Sequence, residues 1–231
     1  MNAWQDILSG FDFQPLLRIL LGAVPALVCI TLHELSHGFV AYLLGDPTAK
    51  NAGRLTLNPI KHLDWVGFLM LVVAHVGWAK PVPVNMRYFK NPKAGMAITA
   101  LAGPASNFLI TALVLLIYGF VYPFYYTKQT IAGDYGMQLL ELTAYISLGL
   151  GLFNLLPIPP LDGSKVLFSF LPDRWYLTLM RYERYGMIAL IVLAYTGLTG
   201  SFLSVAIDAV YQWMFRLAEW AFQLSASLFF A

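Results

Sequence analysis

Charge is the first shortage. Of 231 residues, only 11% are Asp, Glu, Lys or Arg, against about 25% in a soluble domain. Hydrophobic residues make up 59% and the mean hydropathy is +0.67, which excludes an ordinary soluble domain. A formal net charge of +2 leaves no basic surface for nucleic acid, so no such partner is expected. Cys29 is the single cysteine, which excludes an internal disulfide framework. The apolar–polar alternation of a transmembrane barrel is missing. The first basic residue is Arg18, so there is no basic n-region and no cleavable signal peptide is expected. Internal repeats and low-complexity stretches are also absent.

Long apolar runs fill the space these absences leave. They predict an all-α polytopic membrane protein, multi-pass in the cell membrane and in contact with the lipid bilayer. About four full transmembrane helices are expected, near 15–44, 95–122, 136–156 and 186–207. The first would be about 45 Å long, more than the roughly 30 Å hydrocarbon core, so it tilts or projects. Gly45-Asp46-Pro47 ends it. The run 66–78 is too short to span and reads as a re-entrant or interfacial segment. Residues 1–14 read as a short interfacial segment anchored by Trp4, Phe11 and Phe13. Stretches 54–57 and 80–85 look extended, and paired they would make a small membrane-associated β-element. Residues 208–231 mix Asp208, Arg216 and Glu219 with Trp213 and Trp220, the pattern of a C-terminal amphipathic helix at the interface. The whole chain, 1–231, is expected to be one domain, with a core at about 15–171 and C-terminal helices at 175–231.

Basic residues set the orientation. Lys50, Arg54, Lys61, Lys80, Arg87, Lys90 and Lys93 lie between the first two spans, and Arg174, Arg181 and Arg184 lie after the third. The 123–135 loop has Lys128 alone. Positive-inside then puts 45–94 and 171–185 in the cytoplasm and the N-terminus outside.

The chemistry sits in His33-Glu34-Leu35-Ser36-His37, inside the first apolar run. On a helix, residues 33 and 37 share a face. Two imidazoles there can hold one metal ion, and zinc suits nitrogen ligands in this arrangement. Glu34 beside them fits a general base for metal-activated water. Ionisable side chains in a spanning helix cost roughly 2.5–3.5 kcal/mol each, so packing alone does not explain three in five positions. His33 lies roughly 16 Å before the helix end, so the metal is expected within the cytoplasmic half of the bilayer.

Asp162 follows a helix break, Pro157-Ile158-Pro159-Pro160. Broken backbone at membrane depth requires burial or a wet cavity. Asp162 is either a third ligand, leaving a fourth position for water, or the cap of the helix that restarts at Gly163. Asn107, after Gly103-Pro104, either glues helices together or lines a polar cavity. Cys29 is one turn before His33, where a small apolar filler is the ordinary role. His62 reads as a surface or interfacial histidine, and His75 as one bonded to a backbone carbonyl.

His33-Glu34-x-x-His37 together with Asn154-x-x-Pro157-x-Pro159-x-x-Asp162-Gly163 resembles the site-2 protease family, the intramembrane zinc metalloproteases of peptidase family M50. Gly103-Pro104-x-x-Asn107 is similar to a third motif of that family. Gly77-Trp78-Ala79-Lys80-Pro81-Val82-Pro83-Val84-Asn85 resembles its compact bacterial branch, which lacks a sensor domain. The likeness covers about residues 20–170, with Ser164 where the branch often has a second glycine. It implies one Zn²⁺ per chain held by His33, His37 and Asp162, with Glu34 catalytic and Asn107 and Asn154 lining a substrate-binding site. It also implies a membrane-protein substrate, cut in or near a transmembrane helix and engaged along 54–57 and 80–85 by strand addition. Two other classes use the same polar residues: a transporter or channel with a proton path, and an inactive scaffold, which would usually have lost Glu34 or a ligand. An intramembrane zinc protease that trims lipidated C-termini shares H-E-x-x-H but would not supply the proline-rich segment ending in Asp162-Gly163. Substrate identity, cut site and oligomeric state are not written in these residues.

Overall fold

The structure, a computed structural model, describes residues 14–67, 70, 77–196 and 198–230. The expected segment at 1–13, His75 and most of the 66–78 run lie outside the described residues.

Seven helices organise the described chain. They are α1 (Gln14–Leu43), the single turn α2 (Thr48–Asn51), α3 (Pro92–Lys128), α4 (Ile131–Asn154), α5 (Asp162–Ser169), α6 (Asp173–Thr196) and α7 (Leu198–Phe229). Short 3₁₀ turns occupy Pro59–Lys61 and Met86–Tyr88. Among the described residues, three helices are long and apolar enough to cross a membrane: α1 from Leu21, α3 and α4.

Helix ends follow local chemistry. Gly45 is left-handed at φ +104 and closes α1: Asp46 N–H donates to Ala41 O, and Gly45 N–H to Tyr42 O. Asn91 caps α3 by accepting from Ala94 N–H, with Pro92 as the first helical residue. Thr130 caps α4 through Gly133 N–H.

α3, at 37 residues about 55 Å long, is the central post. α1, α4, α5 and α7 all pack on it. Leu115, Ala144, Leu148, Ile207, Met214 and Ala218 form the core between α3, α4 and α7. At Gly119 a Cβ would come 1.9 Å from the Ala218 carbonyl oxygen, so α3 and α7 cross backbone to backbone.

The structure redraws several expected boundaries. The loop at 123–135 shrinks to Gln129 and Thr130, because Pro123 is accommodated inside α3 and the first turn of α4 carries Asp134, favourable at a helix N-terminus. The expected span at 186–207 is divided between α6 and α7, and neither is among the three membrane-crossing candidates. α6 starts at Asp173 and carries the Arg174–Arg184 charges, too many for a simple span. Residues 208–229 are the body of α7, with Met214, Ala218, Ala221 and Ser225 buried. They pack along α3 and are not a separate surface helix.

No strand forms among the described residues. One antiparallel bridge joins Leu63 to Ala79, and Lys80 N–H donates to His62 O. The expected ladder between 54–57 and 80–85 fails for a chemical reason. Pro81 and Pro83 lack N–H groups, and the N–H of Val82 is given to Glu34.

Candidate metal centre

α1 places His33 and His37 one turn apart on its buried face, with rings edge to face at 4.6 Å. Opposite them, the chain leaves α4, turns through the prolines and re-enters a helix at Asp162. Gly163 permits that turn, since a Cβ there would lie 2.1 Å from the Leu155 carbonyl oxygen. Ser164, where a second glycine is common in the resembling branch, is buried and donates its hydroxyl to Leu161 O at 2.7 Å. Gly186 of α6 presses on the same turn, with room for no side chain beside Pro159 O.

Three ligand atoms meet. His33 Nε2 and His37 Nε2 are 3.0 Å apart, and Asp162 Oδ2 lies 3.2 Å from the first and 3.1 Å from the second. All three residues are buried. No other group of this kind occurs among the described residues. The donor set fits zinc on two counts. First, His37 Nδ1 sits 2.7 Å from Thr99 O. A carbonyl only accepts, so Nδ1 carries a ring proton, and in the neutral imidazole Nε2 keeps its lone pair. That lone pair faces a second imidazole nitrogen and a carboxylate oxygen, three donor atoms that one metal cation between them satisfies together. Second, zinc bonds of about 2.0–2.1 Å at tetrahedral angles hold ligand atoms about 3.3 Å apart, close to the observed triangle.

Glycine shapes the floor. A Cβ at Gly103 would fall 2.3 Å from His37 Nε2 and 2.6 Å from His33 Cε1. The two imidazoles occupy the space a side chain at 103 would take.

Glu34 is half-buried and turns toward the extended 80–85 run, where its Oε2 accepts from Val82 N–H at 2.9 Å. That run is fixed at both ends. Arg54 Nη2 donates to Lys80 O at 2.6 Å, and Asn85 N–H donates to the fully buried Asp46 at 2.6 Å.

The remaining expected residues fall in different places. Asn107 is fully buried behind His33, its Oδ1 2.6 Å from His33 Nδ1. It supports the centre from behind and presents no surface to a substrate. Asn154 is half-buried, and its amide donates to Leu150 O one turn back. No hydrogen bond joins it to the three ligand residues. Cys29 is buried against Thr143 O of α4 and is not among the ligands. His62 is buried, a correction to its expected surface place, and its Nε2 faces Thr56 O at 2.9 Å inside the polar loop.

Sequence reading passed over Val82, Thr99, Ser147 and Lys165. The first two act through backbone atoms, which no side-chain pattern reveals. Lys165 Nζ stands 3.6 Å from Asp162 Oδ1, the carboxylate oxygen turned away from the histidines. Its i,i+3 spacing from Asp162 was the available signal.

Helices of membrane-crossing length around a buried His–His–Asp centre with an adjacent glutamate define a membrane-embedded metalloprotease. The chain belongs to peptidase family M50. The profile of that family matches residues 123–196. The chain is 39% identical to YwhC of Bacillus subtilis over 197 residues, covering 85% of this chain and 89% of the relative. Rip2 of Mycolicibacterium smegmatis is 29% identical over 205 residues, 86% of this chain and 71% of the relative. Both are named as candidate zinc metalloproteases. The zinc metalloprotease RasP of Bacillus licheniformis is 54% identical over 173 residues, 74% of this chain and 35% of the relative. No solved structure matches the chain. The transporter and scaffold readings find no support in these likenesses.

Proposed function

We propose that this chain is an intramembrane zinc metalloprotease in which His33, His37 and Asp162 hold one Zn²⁺ and Glu34 is the catalytic base. The meeting of Nε2, Nε2 and Oδ2 within 3.0–3.2 Å, beside Glu34, carries this reading. Bound there, zinc supplies Lewis acidity toward a peptide carbonyl and acidity to water. Glu34 takes the proton from the attacking water and returns it to the leaving amine. The Val82 N–H holds one carboxylate oxygen, so proton transfer falls to the other. Burial of all three ligands keeps bulk water from competing for them.

The substrate is a membrane protein whose transmembrane helix unwinds locally. Its exposed backbone passes beside Glu34, with Asn154 contacting it from the end of α4. The whole chain, 1–231, acts as one domain.

The protein is multi-pass, with loops 45–94 and 171–185 in the cytoplasm. The ion pair between Lys93 at the start of α3 and Asp173 at the start of α6, 2.7 Å, supports placing both on one side of the membrane. His33 lies ten residues before Leu43, about 15 Å along the helix, which supports a site in the cytoplasmic half. Four crossings remain the reading, with α7 as the fourth in place of 186–207. At 32 residues it is about 48 Å long, and it follows α3 in parallel: Tyr118 meets Phe215, Tyr122 meets Phe222 and Phe124 meets Phe229.

Metal analysis of the purified chain in detergent is the test, wild type beside His33→Ala and Asp162→Ala. About one zinc per wild-type chain, lost in both variants, is the expected result. A wild type that takes up no zinc after loading overturns the reading.

A further inference from the structure

We infer that Asn107 and Ser147 form a relay that fixes the protonation of His33, so that its Nε2 always presents a lone pair to the metal. This inference rests on the metal-centre reading above. It assigns Asn107 a positioning role in place of the substrate contact that the motif likeness implies.

Ser147 Oγ lies 2.9 Å from the Asn107 backbone oxygen and 3.2 Å from Asn107 Nδ2. The Ser147 hydroxyl donates to that backbone oxygen, which also accepts from Thr111 Oγ1 at 2.9 Å. The Ser147 oxygen is then left as an acceptor, and the Asn107 group facing it must be the NH₂ end. The other end of the amide, Oδ1, therefore faces His33 Nδ1 at 2.6 Å. Oδ1 only accepts, so Nδ1 carries a proton, and in the neutral imidazole Nε2 is then the nitrogen left bare. His37 obtains the same result from Thr99 O, a backbone atom that cannot turn. His33 has no such carbonyl, and a side-chain amide can flip. Ser147 is what stops the flip.

Packing holds the relay still. Asn107 and Ser147 are both fully buried. Gly151, one turn beyond Ser147 on α4, lets that helix close on Asn107: a Cβ there would lie 3.1 Å from Asn107 Cβ. The relay thus links α4 to α3 to the ligand on α1. Partners that orient a ligating imidazole typically change metal affinity 10–100-fold when removed.

The test measures zinc affinity of the full chain in detergent by chelator competition, with the visible spectrum of the Co²⁺ form as a second readout. Asn107→Leu keeps the shape and removes the acceptor; it should weaken zinc about 10–100-fold and shift the Co²⁺ bands. Asn107→Asp keeps an acceptor and needs no Ser147; it should bind zinc at least ten times more tightly than Asn107→Leu. Ser147→Ala should weaken zinc in the wild-type background and have no effect in the N107D background. That double-variant comparison decides the matter even where Asn107→Leu does not fold. Wild-type affinity and an unchanged Co²⁺ spectrum in Asn107→Leu would overturn the relay, as would an equal effect of Ser147→Ala in both backgrounds. If wild type binds zinc, His33→Ala does not, and the relay variants behave like wild type, the relay fails and the metal centre stands. A wild type without zinc removes both.

Discussion

The carboxylate of Glu34 and the backbone N–H of Val82 face each other at 2.9 Å, although 48 residues separate them in the chain. Pro81 and Pro83 on either side have no N–H to offer, so Val82 supplies the one backbone donor in that tripeptide. Glu34 is aimed by a loop outside its own helix, and the loop is held by Arg54 and Asp46.

Two variants separate the base from its support. Glu34→Gln cannot accept the water proton, and it should abolish cleavage while zinc content stays at wild-type level. Val82→Pro removes the donor, along with the buried valine side chain, and keeps an extended backbone. A hydrogen bond to a charged group is worth about 1.5–3 kcal/mol, so kcat should fall about 10–100-fold with zinc unchanged. Cleavage of a membrane substrate in detergent, with metal content measured in parallel, checks both. Full activity in Glu34→Gln would remove its assigned role.

Gly103→Ala should empty the metal centre. The added carbon would stand 2.3 Å from His37 Nε2, and the imidazole cannot retreat without giving up Thr99 O and Asp162. α3 itself gains helix propensity from the change, so helix content by circular dichroism should stay at wild-type level while bound zinc is lost. Retention of stoichiometric zinc would show that the floor of the site can move.

How much of this was legible beforehand depends on where the information sits. His33 and His37 were readable because helical spacing alone puts them on one face, and Glu34 because it is the one acid beside that pair. Asp162 was ambiguous from spacing, since a ligand and a helix cap look alike before a break. The fold brings it within 3.2 Å of both histidines. Val82 and Thr99 were not readable because they act through backbone atoms that every residue type shares. The β-element was misread because an extended pattern shows that a segment is straight without showing what takes its hydrogen bonds. The division at 196–198 was missed because 186–207 is apolar throughout, and hydropathy does not register where a helix turns.

The α3–α7 crossing sets a stability prediction. Gly119 admits the Ala218 backbone where any side chain would overlap it. Gly119→Val should therefore force the helices apart and expose the core of Leu115, Met214 and Ala218. Overpacking of this kind typically costs 1–3 kcal/mol, and here backbone is the obstacle, so the upper end is expected. Thermal unfolding in detergent should show a clearly lower midpoint. Gly136→Val is the control, because nothing lies near its Cβ position.

Topology gives the last test, because the two placements of the fourth crossing disagree about residue 200. If 186–207 crosses the membrane, residue 200 lies inside the bilayer and both ends of 208–229 lie on the outer side. If α7 crosses, its start is cytoplasmic and its end is outside, since it runs parallel to α3 and α3 begins beside Lys93 and Asp173. Gly200 and Phe230 are both exposed, and the native Cys29 is buried, so background labelling should be low. Gly200→Cys should react with a membrane-impermeant thiol reagent only in inside-out vesicles. Phe230→Cys should react only from the outer face. Protection of Gly200→Cys from both sides would return the fourth crossing to 186–207, and α7 would then pack on α3 as a helix that does not span.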